Sequence, residues 1–229
     1  MAKNKDSAPD KPQFYGRRKG HTLRPHRQQL MDELLPKLLV TSEGNNVPDA
    51  TETWLEIGFG AGEHLAAQAE TYPDIGFIGC EPYINGVATL LSVIERNSLT
   101  NIHIYNDDAR DLLENLAPAS ISKVFVLFSD PWPKKRHNRR RFINPENLDA
   151  LSRIMKDGAE FRFASDDMSF IRWGLDVFHK HPDFKWLVQG PEDWRNRYAD
   201  AAPTRYEIKA LKQGKKCVYL TYQRVVRKS

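Results

Sequence analysis

The 229-residue sequence predicts an α/β fold in which a seven-stranded, mostly parallel sheet carries helices on both faces. Two observations support this fold class. Short apolar segments alternate along the chain with longer segments whose apolar residues recur at helical spacing, a pattern typical of strand-helix-strand units. No helical pattern is evident between the last two strand-like segments, and we therefore expect an antiparallel last strand.

Each of the first five predicted strands is followed by a helix. Seven strands are predicted, at residues 53–57, 76–80, 101–105, 123–128, 159–164, 184–189 and 217–222. The helices between them are predicted at residues 62–72, 84–97, 109–116, 145–156 and 168–180. Another helical pattern, over residues 27–40, precedes the sheet, and Pro36 should bend or divide that helix.

The composition suits one folded domain with a basic arm. Apolar residues make up 40% of the chain, which is enough to bury one substantial core. We expect a single domain over residues 27–229, preceded by a basic and largely flexible arm over residues 1–26. The first 13 residues are polar and rich in lysine and proline, so they are predicted to be disordered.

Charges are segregated along the chain, although the net charge is only +4. Residues 1–27 carry eight bases and two acids, residues 28–133 carry four bases and sixteen acids, and residues 134–229 carry twenty-two bases and twelve acids. An acidic body between basic segments suits a protein that holds a cationic small molecule in one place and a polyanion in another. Charge alone leaves a second interpretation open, in which these faces are merely solvated.

The sequence also indicates what the protein lacks. Cys80 and Cys217 lie far apart, and neither they nor the seven histidines form a C-x-x-C or H-x-x-x-H motif. We therefore expect reduced thiols, a cytoplasmic location and no metal site. No signal-peptide pattern is present and the apolar segments are too short to cross a bilayer, so no membrane partner is expected. The sequence does not fix the oligomeric state, for which a monomer is favoured.

A glycine-rich segment, L-E-I-G-F-G-A-G, follows the first predicted strand and leads into a helix. Gly58 and Gly60 should let the backbone approach a ligand at the carboxyl edge of the sheet. A dinucleotide-binding motif would need glycine in place of Glu63, and Glu56 would disfavour a pyrophosphate. S-adenosylmethionine carries a sulfonium and an ammonium group but no phosphate, so Glu56 favours that cofactor.

Two further acids follow strand ends. Glu81 lies at the end of the second strand, where a carboxylate can accept hydrogen bonds from both ribose hydroxyls. Asp108, just after the third strand, could accept from the adenine amino group, whereas Asp107 is expected to face water. Solvated acids are the alternative, but these positions suit one nucleoside. Five strand-helix units that end in an antiparallel pair of strands are the arrangement known for the Rossmann-like fold of class I methyltransferases.

The fourth strand leads into Asp130, Pro131, Trp132 and Pro133, and six of the next eight residues are lysine or arginine. Asp130 should stand beside the transferable methyl group, and Trp132 offers a surface on which a base can stack. Aromatic and cationic residues beside a cofactor cleft indicate a nucleic-acid base as the methyl acceptor. The alternative is a solvated basic loop, which would leave Trp132 exposed without a role.

In this segment the chain resembles the bacterial tRNA (guanine-N7-)-methyltransferases, whose fourth strand ends in D-P-W before a basic run that contains R-H-N. Ser129 and Pro133 depart from the residues common in the family. Other matches fall in the family's order along nearly the whole chain: Gly16-Arg17-Arg18-Lys19-Gly20 with Leu23-Arg24, the L-E-I-G-F-G-x-G segment, Ser165-Asp166 and Thr204-Arg205-Tyr206-Glu207.

The resemblance implies methyl transfer from S-adenosylmethionine to N7 of guanine in the tRNA variable loop, at position 46 of standard tRNA numbering. It implies that Asp130 is the catalytic residue. The residues that match cofactor-binding positions are Glu56, Glu81, Asp108 and Asp130, beside Gly58 and Gly60 of the glycine segment. Those that match positions binding the substrate guanosine are Lys134, Asp166, Thr204, Arg205, Tyr206 and Glu207.

The chemistry of guanine fits these implied roles. N7 has an in-plane lone pair and no proton to lose, so the reaction needs alignment and electrostatic support but no general base. An arginine on O6 and N7 would cover the nucleophile, and recognition should therefore use the Watson–Crick edge, whose donors suit Asp130, Asp166 and Glu207. The basic N-terminal arm and the run after Trp132 would bind phosphates, although unspecific RNA attraction explains the arm equally well.

Two other functions remain open at this point. Adenine or cytosine amino-methyltransferases also place an acidic or amide residue, a proline and an aromatic residue after the fourth strand, but their usual D-P-P-Y is absent here. A catalytically idle RNA-binding or chaperone protein could keep the fold and the basic segments. The joint presence of Glu56, Glu81 and Asp130 argues against that second alternative.

Overall fold

The computed structural model describes residues 14–227, so the predicted disorder of residues 1–13 lies outside the described residues. One seven-stranded sheet has the order β3-β2-β1-β4-β5-β7-β6. Its strands are β1 Thr53–Ile57, β2 Gly76–Cys80, β3 Ile102–Tyr105, β4 Ile121–Leu127, β5 Met155–Ser165, β6 Phe184–Trp186 and β7 Val218–Arg224.

The direction of the strands confirms the predicted fold class. Strands β1 to β5 pair in parallel, whereas β7 runs antiparallel to both of its neighbours, β5 and β6. Because β7 is reversed, its first residue, Val218, pairs with Ser165, the last residue of β5. The segment that precedes β7 therefore lies at the carboxyl edge of the parallel strands.

Nine α-helices occur among residues 14–227. They are α1 Pro25–Glu33, α2 Leu35–Leu38, α3 Glu63–Thr71, α4 Ile84–Asn97, α5 Ala109–Asn115, α6 Pro145–Ile154, α7 Met168–Lys180, α8 Glu192–Arg195 and α9 Arg205–Lys212. The first helical pattern divides at Leu34, and Pro36 lies in the first turn of α2, where its missing N–H does no harm. The predicted division is thus confirmed.

The absence of a helix between the last two strands was a wrong prediction, because α8 and α9 lie there. Thr204 is the N-cap of helix α9, and its hydroxyl accepts a hydrogen bond from the Glu207 backbone N–H. Only Glu207 and Ala210 are buried in this helix, and Tyr206, Ile208 and Leu211 are exposed. The buried side of α9 therefore includes a carboxylate, while its large apolar side chains lie at the surface.

The largest differences between predicted and observed strand bounds lie in β5 and β6. Strand β5 begins at Met155 and not at residue 159, because Met155 pairs with Ile121 before the register shifts. Gly158, with a φ of 81°, lies inside this irregular part of the strand. Strand β6 ends at Trp186 and not at residue 189.

The sheet separates two buried clusters of apolar residues, one on each face. Along β1, Leu55 and Ile57 join the cluster that packs against α5, α6 and α7. Trp54 joins the other cluster, which includes residues of α1, α3 and α4. Because side chains alternate along a strand, Glu56 shares the face of Trp54 and is covered by α3.

Candidate cofactor and substrate site

A cavity of about 640 Å³ opens at the carboxyl edge of the parallel strands. Its walls come from the segments that follow β1, β2, β3, β4 and β5, and from helix α9. Open α/β sheets bind ligands at this edge because the loops from neighbouring strands diverge there. The cavity is therefore where the fold predicts a ligand.

The glycine loop, residues 58–62, forms the first wall. Gly58, Gly60 and Gly62 have φ values of 75°, 60° and 80°, in the left-handed region that only glycine adopts without strain. The Gly58 backbone N–H donates to the carbonyl of Cys80 at 2.8 Å, which ties the loop to β2. Gly58 and Gly60 line the cavity, as the sequence predicted, and the exposed backbone can approach a ligand.

Glu81 is held rigidly in the cavity wall. Its Oε2 accepts from the Gly60 backbone N–H at 2.8 Å, and its Oε1 accepts from the Tyr83 backbone N–H at 2.9 Å. Burial raises the pKa of this carboxyl to about 7, because removal from water disfavours the charged form. Each oxygen keeps a second lone pair with which a ribose hydroxyl can bond.

The two aspartates after β3 both line the cavity. Asp108 caps helix α5 by accepting from the Arg110 backbone N–H, and its carboxylate also pairs with the Arg110 side chain. Asp107, which was expected to face water, has a side chain that is 45% exposed; it also forms an ion pair with Arg18 at 2.7 Å and lines the cavity. The N-terminal segment thus covers this end of the site.

Asp130 lies in the cavity wall between two residues with unusual backbone conformations. Phe128 and Trp132 have φ values of 52° and 43°, which are strained for side chains with a Cβ. Arg141 stabilises this turn, since its Nε donates to the Pro131 carbonyl at 2.8 Å. The surrounding protein desolvates the Asp130 carboxyl and raises its pKa above the ordinary value.

Three buried polar atoms near this turn have no hydrogen-bond partner among residues 14–227: Ser129 Oγ, Asn138 Oδ1 and Arg140 Nε. Unsatisfied buried polar groups are rare, and they mark places where a ligand or water completes the structure. All three belong to the segment that the sequence predicted to meet the substrate. This observation, together with the acids in the wall, fits a cationic nucleoside cofactor and a polar acceptor.

The segment before helix α1 was not predicted to reach the site, yet residues 14–17 line the cavity. The Arg140 guanidinium lies 4.0 Å from the centre of the Tyr15 ring and 4.9 Å from that of Trp132. Asn85 of α4 fixes the same segment by accepting from the Gly20 backbone N–H and donating to the His21 carbonyl. No local pattern in the sequence could have revealed these contacts.

The residues predicted to bind guanosine divide into two groups. Asp166 and Tyr206 line the cavity, and Lys215 and Lys209, which the sequence did not single out, lie there with them. Lys215 donates to the Asp166 carboxylate at 2.6 Å. The Tyr206 ring lies against the glycine loop at Gly60. Aromatic and charged groups therefore meet beside the glycine loop.

The other predicted guanosine-binding residues lie off the main cavity. Thr204 and Glu207 line a much smaller adjoining pocket, where the Glu207 carboxylate accepts from Tyr219 Oη at 2.6 Å. Arg205 pairs with Glu63. Lys134 is exposed just before a short 3-10 helix, Lys135–Arg140, which continues the basic surface. None of these four lines the cavity in the described structure.

Glu56, predicted to contact the cofactor, is buried below the loop and is not among the cavity-lining residues. Its Oε2 pairs with His64 Nδ1 of helix α3 at 2.7 Å. Among residues 14–227, no three or more histidine, cysteine, aspartate or glutamate side chains are grouped so that they could hold a metal ion. Across the same residues, no helix is both long enough and apolar enough to cross a membrane.

The reversed last strand, the glycine loop and the acids after β2, β3 and β4 define a class I methyltransferase. A family model described as a putative methyltransferase matches residues 50–220. The tRNA (guanine-N(7)-)-methyltransferase of Rhodospirillum rubrum is 46% identical and covers 94% of this chain and 91% of its own length. That of Ruegeria sp. is 47% identical, covering 92% and 87%. The chain belongs to the tRNA (guanine-N7-)-methyltransferase family, whose cofactor is S-adenosylmethionine.

Solved structures of low sequence identity share the fold. An rRNA methylase from Streptococcus thermophilus superposes with a TM-score of 0.53 at 10% identity, over 90% of this chain and 100% of that chain. An S-adenosylmethionine-dependent O-methyltransferase from Thermotoga maritima has a TM-score of 0.52 at 12% identity, over 92% of this chain and 69% of that one. At such identities the similarity extends to the architecture alone.

Proposed function

We propose that this protein transfers a methyl group from S-adenosylmethionine to N7 of guanine at position 46 of the tRNA variable loop, giving 7-methylguanosine. One observation carries the proposal: the acid-lined cavity opens beside Asp130, Trp132 and the basic 3-10 helix, in a chain that is 46% identical to a tRNA (guanine-N(7)-)-methyltransferase. The fold alone would fit many methyl acceptors.

The cofactor supplies an electrophilic methyl group on a sulfonium centre. We assign the ribose hydroxyls to Glu81, whose two oxygens are already fixed by the Gly60 and Tyr83 amides. Asp108 borders the adenine end, where its carboxylate is oriented by Arg110. Because all these groups are held before binding, little ordering is needed when the cofactor enters.

Guanine recognition is assigned to Asp130 and Asp166, the two carboxylates of the predicted set that line the cavity. A carboxylate can accept from N1–H and the amino group of guanine while leaving N7 free. Glu207 is only 2% exposed and is bonded to Tyr219, so its role would be to shape the adjoining pocket. Tyr206 and Trp132 provide aromatic surfaces for stacking.

No proton has to be removed before N7 attacks, so the protein's task is to align N7 with the methyl group and to support the charge that develops on the base. Asp130 offers a negative charge at the required place, and its raised pKa reflects a partly desolvated carboxylate whose electrostatic effect is enhanced. N7 is inaccessible in the deep groove of an A-form helix, which favours a loop nucleotide as acceptor.

The decisive variant is Asp130→Asn, which keeps the shape of the side chain and removes its charge. We expect kcat/KM for methyl transfer to fall at least about 100-fold, as for loss of other preorganised electrostatic groups. The tRNA Kd should stay within about threefold, because phosphate contacts dominate affinity. Asp49→Asn, an exposed acid outside the cavity, is the matched control and should retain full activity.

The product identifies the reaction. Nucleoside mass spectrometry of unmodified tRNA treated with protein and cofactor should show 7-methylguanosine, and a tRNA with adenine at position 46 should gain none. Methyl groups on an exocyclic amine would replace the proposal with an amino-methyltransferase. Tight tRNA binding without any transfer would instead indicate an RNA-binding protein.

A further inference from the structure

Glu56 and His64 stand at the two ends of the glycine loop. Glu56 is the penultimate residue of β1, and His64 is the second residue of α3, so the loop 58–62 lies between them in the chain. The hydrogen bond of 2.7 Å from His64 Nδ1 to Glu56 Oε2 therefore closes the loop at its base. The Glu56 and His64 side chains are only 4% and 0% exposed.

The His64 ring has one defined orientation. A carboxylate only accepts, so Nδ1 carries the proton that is donated to Glu56. The ring packs edge to face with Phe125 of β4, with 4.8 Å between the ring centres. Phe125 pairs in register with Glu56 across the two parallel strands. Three elements, β1, β4 and α3, thus converge on this one hydrogen bond.

The pair is not an arrangement that stability alone favours. His64 Nε2 is buried and has no partner within residues 14–227, and a buried unsatisfied nitrogen is destabilising. By contrast, the loop above needs support, because its three left-handed glycines have more conformational freedom to lose than any other residue type.

We propose that His64 is a positioning residue for the glycine loop, and that it acts through its hydrogen bond to Glu56 at the base of that loop. The pair fixes the spacing between β1 and α3, and thereby aims the Gly60 amide at Glu81 and the open backbone of Gly58 at the cofactor. The inference rests on S-adenosylmethionine as the ligand and is independent of which RNA is methylated.

The test measures cofactor binding and loop exchange separately. In His64→Ala we expect the S-adenosylmethionine Kd from calorimetry to rise at least about tenfold, since small displacements of a positioned group are costly. In the cofactor-free protein, amide hydrogen exchange at residues 58–62 should accelerate. His64→Asn should recover most of the affinity, because the Asn Nδ2 lies close to the position of the histidine Nδ1 and can donate to Glu56.

The matched control is His181→Ala. His181 is also buried and also pairs with an acid, Asp149, at 3.2 Å, but it follows helix α7 and lies outside the cavity. This variant should lose thermal stability while its cofactor Kd stays within about twofold. If His64→Ala instead lowers only Tm and leaves both the Kd and loop exchange unchanged, the histidine is merely structural and the proposal is wrong.

A double-mutant cycle decides how Glu56 acts. If the pair works as a unit, Glu56→Ala, His64→Ala and the double variant should weaken cofactor binding by similar factors. If Glu56→Ala costs as much in the His64→Ala background as in the wild type, His64 does not act through Glu56 and the proposal fails. Absence of cofactor binding in the wild-type protein would be a different outcome, because it would contradict the proposed function itself.

Discussion

Two opposing influences set the pKa of the Glu81 carboxyl group. Burial raises its pKa, and the hydrogen bonds from the Tyr83 and Gly60 amides lower it, leaving a value of about 7. An ordinary glutamate would be fully ionised at neutral pH, whereas this one titrates close to it. Only the ionised form can accept from two hydroxyls at once, because a protonated carboxyl oxygen becomes a donor.

Cofactor affinity should therefore depend on pH. Between pH 8 and pH 6 we expect the S-adenosylmethionine Kd to rise about tenfold, as the fraction of ionised Glu81 falls with acidification through its pKa. Calorimetry at constant ionic strength measures this directly. Glu81→Gln should bind weakly at both pH values with a flat profile. A wild-type Kd that is unchanged over this range would refute the role of Glu81 ionisation.

The individual site residues differ in how readily the sequence reveals them. Gly58, Gly60 and Glu81 follow strand ends directly, so local pattern places them at the carboxyl edge. Lys215 reaches the cavity only because the last strand is reversed, and it pairs with Asp166 across 49 positions of the chain. Such pairs depend on tertiary packing, which no local pattern encodes.

Helix α4 packs so closely on the glycine loop that the contact position, Gly86, has no room for a side chain. A Cβ added at Gly86, in the first turn of α4, would lie 2.1 Å from the Gly60 carbonyl oxygen. Backbone cannot move away as the end of a flexible side chain would, so a Cβ at this position would displace the glycine loop. Gly86 thus serves the cofactor site although it lies outside the glycine motif.

We expect Gly86→Ala to weaken S-adenosylmethionine binding at least about tenfold, because the displaced loop would misplace the Gly60 amide. Tm should fall as well, since the overpacked contact is strained. Gly190→Ala is the matched control: an added Cβ there meets no atom within 4 Å, and both Kd and Tm should stay unchanged. Wild-type cofactor binding in Gly86→Ala would mean that the loop adapts.

At the level of elements, most of the fold was predictable. The strands β1 and β2 and the helices α4 and α7 match their predicted bounds. The two strands are short buried runs, and the two helices have a clear apolar period. Helix α9 was missed because its buried side includes a glutamate, and β5 was predicted too short because its first residues form an irregular pairing. Polar burial and bulges obscure the periodicity on which such predictions depend.

In the whole molecule, an acidic segment, residues 28–133, lies between two basic segments of the chain. Arg17, Arg139, Arg140, Lys209 and Lys215 all line the cavity, although they come from the N-terminal arm, the segment after β4 and the segment before β7. The basic segments that are distant in the chain therefore converge on the same opening. A polyanion can contact both while a single base enters the cavity.

Binding of tRNA should consequently depend strongly on salt. If about six phosphates are contacted, affinity should fall by about 10³ between 50 and 200 mM KCl. Replacing both Lys135 and Arg136 with glutamate should weaken binding and reduce the slope of log Kd against log salt by about two. Lys185→Glu, on the short strand β6, is the control and should change neither. An unaltered slope in the double variant would exclude the 3-10 helix from the interface.

The reversal of β7 also has a consequence for how the protein is made. The glycine loop, Glu81 and Asp130 are synthesised before the last strand. We expect Tyr206 and Lys215 to reach the cavity wall only after Val218 has paired with Ser165. A ribosome-tethered chain that stops before this strand has an unfinished cavity wall. Methyltransferase activity should therefore appear only when the last strand has folded. Chains truncated before β7 should not consume S-adenosylmethionine.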